Sequence, residues 1–165
     1  GLAVGFRNSY DKSMTAGFAI GGSVFVCDNL ALNGELVVFR KHTGGIIDEL
    51  RNSIVLTYHK ASTTWESLVK DREIMQRIPV ADDQMYAMLG QAWGRDLVNP
   101  RQMNEVVNEW REPQHEEFAP RSLWSLYNGF TEVYKGLPLH EVMDKHVSLH
   151  RFIRNEAIPN LVGKN

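Results

Sequence analysis

Hydrophobic positions change their spacing once along this chain, near residue 45. Before that point the pattern alternates in short stretches, Leu2 to Asn8, Met14 to Ile20, Ser23 to Asp28 and Glu35 to His42, broken by residues that favour reversals. The Gly21-Gly22 and Asn33-Gly34 pairs supply the positive φ that tight turns use, so they are expected to close hairpins. Asn29 to Leu32 is the ambiguous stretch, open to reading as a helical turn capped by Asp28 or Asn29.

From Gly45 the period becomes three-and-four. Ile47, Leu50, Ile54, Tyr58, Ala61, Trp65, Leu68 and Met75 form one stripe that Pro79 ends, which predicts a single long amphipathic helix. At 1.5 Å per residue such a helix is about 45 Å long, more than a small sheet needs for cover, so part of it is expected to meet other helices or another subunit. Shorter helices follow. One begins at Asp82 or Asp83 and runs to about Leu97 with Met85, Met88, Leu89, Ala92 and Trp93 inward. Another opens at Asn99-Pro100 and buries Met103, Val106, Val107 and Trp110. A third begins at Pro120 or Ser122, turns Leu123, Leu126, Tyr127, Phe130 and Val133 inward, and stops at Gly136 and Pro138. The last runs from about Leu139 to Ala157. The expected fold is therefore α+β: a small antiparallel sheet from residues 1–43 packed on a long helix, followed by a helical C-terminal half.

Length and composition narrow the choices. At 165 residues the chain is expected to be a single domain over 1–165. A first residue that is Gly rather than Met, opening a strand, suggests a fragment lacking its natural N-terminal segment. The lone Cys27 excludes an intrachain disulfide framework and fits a reducing compartment, so an intracellular setting is expected, with no membrane partner. No Walker-type loop and no G-x-G-x-x-G occurs, and no nucleophile stands beside an evident base. No cofactor is expected, and an enzyme is the less favoured class.

Charge then places any nucleic-acid contact. The formal net charge is −2; the first 60 residues carry six basic and five acidic side chains, and the remainder is net acidic. A single-stranded nucleic acid would meet the first part, where Arg7, Asn8, Lys12, Phe39, Arg40, Lys41 and His42 interleave aromatic faces with cations. Asp11, Asp28 and Glu35 are the weak candidates for a metal-dependent phosphodiesterase. The lysine that nuclease sites place two residues after the strand acid is missing, because Leu36 and Val37 follow Glu35. Turn chemistry explains most of these polar residues, Asn29 included.

Two further sets lie late in the chain. His146 and His150 are spaced i, i+4 inside the apolar stripe of Leu139, Val142, Met143 and Ile153, which favours a half-buried, hydrogen-bonded pair over metal ligands. Trp124, Asn128 and Glu132 lie along the edge of a packed face, where polar groups mostly satisfy backbone neighbours or line a subunit contact.

The blocks Arg7-Asn8-Ser9-Tyr10-Asp11-Lys12-Ser13, Val24 to Ala31 running on to Gly34-Glu35, and Arg40-Lys41-His42-Thr43 resemble the phage- and plasmid-like proteins grouped as domain of unknown function 932. Leu123-Trp124-Ser125-Leu126-Tyr127-Asn128-Gly129-Phe130-Thr131-Glu132 is similar to a later segment of that family. The resemblance implies carriage by phages, prophages and plasmids, and transfers no activity, catalytic residue or cofactor. Three functions stand open: an accessory factor of mobile-element DNA metabolism touching single-stranded nucleic acid; a module that inhibits or recruits a host factor, or self-associates, through the long helix or the Trp-bearing helices; and the metal-dependent phosphodiesterase.

Overall fold

A computed structural model describes residues 2–7, 16–23, 30–40 and 46–163, the first three segments and parts of the long helix by their backbone alone. Its centre is α4, Leu123–Tyr134. The stretch Leu123 to Thr131 carries no charged residue, and every one of those nine residues is buried. A helix apolar on all sides is stable only when other elements enclose it. Ser122 caps its start, its Oγ accepting from the Ser125 N–H at 3.3 Å.

The enclosing elements are α1 (Ile46–Arg77), α2 (Asp82–Trp93), α3 (Pro100–Arg111) and α5 (Leu139–Phe152). A 3₁₀ turn at Glu116–Phe118 links α3 to α4. Met75, Met85, Leu89, Val106, Leu149 and Ile153 meet Leu126, Tyr127 and Phe130 in one cluster. Each such burial is worth about 1.5–3 kcal/mol. The link between α1 and α2 is fastened to the start of α4, with the Val80 N–H donating to Arg121 O at 3.0 Å and the Leu123 N–H to Ile78 O at 2.9 Å. These bonds supply partners for backbone that Pro79 keeps out of a helix.

Punctuation is local and physical. Asn99 Oδ1 accepts from the Gln102 N–H at 2.9 Å while Gln102 Oε1 accepts from the Asn99 N–H at 3.0 Å, and Pro100 fills the position where a missing N–H matters least. Trp110 Nε1 donates to Asp82 Oδ1 at 2.9 Å, joining the end of α3 to the start of α2, and Arg121 pairs with the same carboxylate while lying 5.7 Å over the Trp110 ring. The last rod is not the continuous α-helix that the spacing predicts. A π-helical segment, Ile153–Ala157, separates α5 from α6, Ile158–Val162.

Ahead of this body, backbone at Leu2–Arg7 (β1), Ala16–Ser23 (β2) and Leu30–Arg40 (β3) pairs antiparallel in the order β1-β2-β3. The two expected reversals fall inside strands: Gly21-Gly22 lies in β2 and Asn33-Gly34 in β3. The β2–β3 register jumps instead, Ala19 facing Val37 and Gly21 facing Leu32. Glycine permits a turn without requiring one, and a bulge absorbs the surplus residues. The expected helical turn at Asn29 to Leu32 gives way to the start of β3 at Leu30. The expected strand Ser23 to Asp28 falls beyond Ser23 outside the described residues.

The fold class itself is corrected. The packed body, residues 46–163, contains no strand or sheet and is overwhelmingly helical, so this body is all-α and not the α+β arrangement expected. The reason is the supply of large apolar side chains. From Leu123 to Thr131, α4 presents a charge-free surface that needs helices on every side. Among the described side chains, the buried core begins at Leu68 and runs to Ala157.

Candidate functional site

The strand-side candidates divide by where they lie. Arg7 closes β1, and Glu35, Phe39 and Arg40 lie in β3; the register puts Arg7, Gly17 and Phe39 in one row, with Arg40 opposite Ala16 beside it. Asn8, Asp11, Lys12, Asp28, Asn29, Lys41 and His42 lie outside the described residues. Among the described residues no group of three His, Cys, Asp or Glu side chains could hold a metal ion.

Trp124, Asn128 and Glu132 belong to α4 but do different things. Trp124 is buried and stacked on Tyr127, ring centroids 5.6 Å apart and 7° from parallel. Asn128 Nδ2 donates to Trp124 O at 2.8 Å. Glu132 accepts from Lys135 Nζ at 2.7 Å. Asn128 and Glu132 line a cavity of about 10 Å³ with Glu109, His115, Phe118 and Ser125, room for about one water molecule.

The two histidines are fully buried rather than half-buried, and they answer different partners. His146 Nδ1 lies 2.8 Å from Val142 O, its ring edge-on to Tyr134 at 5.3 Å, and burial holds its pKa below the ordinary value. His150 Nε2 lies 3.2 Å from Asp71 Oδ2, a carboxylate 7% exposed on α1, and Arg154 Nη1 approaches the same oxygen at 3.6 Å. Sequence reasoning missed Asp71. It stands three residues after Leu68 and four before Met75, on the buried stripe, and an acid in such a place signals a buried partner.

The other missed feature is on the outside of α2. Trp93 is not inward but 55% exposed, and Tyr86 is 47% exposed. Seven residues of helix turn about 700°, so the two rings lie on one face about 10 Å apart along the axis. Gly90 lies between them, and a Cβ built there would meet nothing within 4 Å, which leaves a bare floor between two aromatic walls. Arg111 Nη2 donates to Tyr86 Oη at 2.8 Å and holds that ring from α3. Trp93 follows Ala92, at the rim of the Met85, Met88, Leu89 and Ala92 stripe, where helix rotation alone is ambiguous.

No protein-family model matches the chain, and no curated protein or solved structure is significantly similar to it. The likeness to domain of unknown function 932 therefore stays a likeness of the quoted motifs. Among the described residues no helix is long and apolar enough to cross a membrane.

Proposed function

We propose that this chain is a protein-interaction module, acting in the cytoplasm of a bacterial host, whose docking face is the outer side of α2. The exposure of Trp93 beside Tyr86 is the observation that carries this reading. Trp, Tyr and Arg dominate the energetic centres of protein interfaces, and here an arginine already fixes one of the rings. The partner that fits is a protein surface with an apolar ridge to fill the floor at Gly90; a second copy of this chain is one such surface. A photo-crosslinking residue at position 90 tests it in the full chain. A discrete protein adduct should form and should disappear in Tyr86→Ala/Trp93→Ala; an adduct unchanged by that pair, or none, contradicts the proposal.

The row formed by Arg7, Gly17 and Phe39, with Arg40 alongside, favours a second reading: contact with single-stranded nucleic acid at that end of the paired strands. The acidic balance of residues 46–163, 13 basic against 17 acidic, confines such contact to the N-terminal part. Anisotropy of a labelled oligonucleotide should then fall steeply with added salt and should not respond to Trp93→Ala. Salt-independent binding, or none, speaks against it.

A further inference from the structure

The cluster around Asp71 contains two buried polar atoms that no described residue bonds. Asp71 on α1, Tyr127 on α4 and His150 on α5 are 7%, 1% and 4% exposed. Among the described residues, Tyr127 Oη and His150 Nδ1 have no partner within hydrogen-bond reach. Buried polar groups are almost always satisfied, and two orphans on adjoining rings point to one shared cause.

The chemistry of the two atoms is complementary. The Asp71 carboxylate, with Arg154 beside it, accepts from His150 Nε2. In the tautomer that donates Nε2–H to this carboxylate, Nδ1 offers a lone pair. Burial, and the charge of Asp71, keep the Tyr127 phenol protonated. Its hydroxyl is thus a donor, and the rings meet edge-on with centroids 6.2 Å apart. A donor and an acceptor that do not bond each other are what one water molecule joins, accepting from the first and donating to the second over about 2.8 Å each.

We infer that a single water molecule is bound between Tyr127 Oη and His150 Nδ1, completing a chain Asp71–His150–water–Tyr127 that ties α1, α4 and α5 together. Arg154 covers the cluster from the surface, reaching Asp71 Oδ2 at 3.6 Å and Ser67 Oγ at 3.5 Å. It does so from the π-helical segment that begins immediately after Phe152, and such segments are frequent at functional sites. The bound molecule would be enclosed and slow to exchange.

The sign of one stability change decides the matter. If the hydroxyl is bridged, Tyr127→Phe removes a hydrogen bond and strands the water, and the unfolding equilibrium constant from urea denaturation should rise roughly 5- to 10-fold. If the hydroxyl stands unpaired, the same substitution removes a penalty, and a constant unchanged or lowered overturns the inference. Nitrogen-15 NMR of the unaltered chain gives an independent reading that needs no variant. His150 should be the Nε2–H tautomer with Nδ1 accepting a hydrogen bond; a proton on Nδ1, or a direct Tyr127–His150 bond, also overturns it.

Discussion

Phe130 sets the scale of what one residue contributes. It is wholly buried at the middle of α4, within the core cluster, and Phe130→Ala should cost about 3–5 kcal/mol in urea denaturation because the rigid surroundings cannot close the gap. His146 contributes through its proton. Burial lowers its pKa from 6.5, with the bond to Val142 O opposing. The unfolded chain therefore takes up a proton before the folded one as pH falls. The contribution is present above about pH 6.5 and is lost below it, down to the depressed folded value. Urea midpoints should drop between about pH 7.5 and pH 5, and His146→Gln should reduce that drop; an equal drop in both proteins contradicts the assignment. Single residues were also where the sequence was least legible. Trp93 and Ala92 differ by one position and 100°, so a stripe wide enough to include one could include the other, and only the packing of α3 and α4 decides. Asp71 hid for the opposite reason, as a charge where periodicity asks for an apolar residue.

Helices were legible wherever an end had its own chemistry. Asn99-Pro100 marks the start of α3, Ser122 that of α4, and Pro79 closes the region after α1. Asn99→Ala should cost about 1 kcal/mol by thermal unfolding, since the Gln102 N–H loses its acceptor, and Asn99→Asp should recover most of it. A loss in both variants of equal size would mean the cap does not act through that oxygen. The π segment had one local mark, Pro159 just past it, which has no N–H for the helix ladder, and the segment carries Arg154, which reaches Asp71, and Glu156, which pairs with Arg95. The glycine pairs misled in the other direction. Gly21-Gly22 allows a reversal but pairs with both neighbouring strands, and Asn33-Gly34 falls in the part of β3 between Leu32 and Val37 where the register jumps.

For the whole molecule, a core made by helices around α4 leaves Trp93 on the outer face of α2 outside the packing. That is the central claim, and it separates two tryptophans. Trp110 is 5% exposed, and its Nε1 donates to Asp82, whereas Trp93 is 55% exposed. The most direct test is a pair of denaturation curves. Trp110→Ala should lose about 3–5 kcal/mol, while Trp93→Ala should stay within about 0.5 kcal/mol of the unaltered protein and yet abolish the crosslinked adduct. A Trp93→Ala protein as destabilised as Trp110→Ala would show that the ring belongs to the core and that α2 has no spare face.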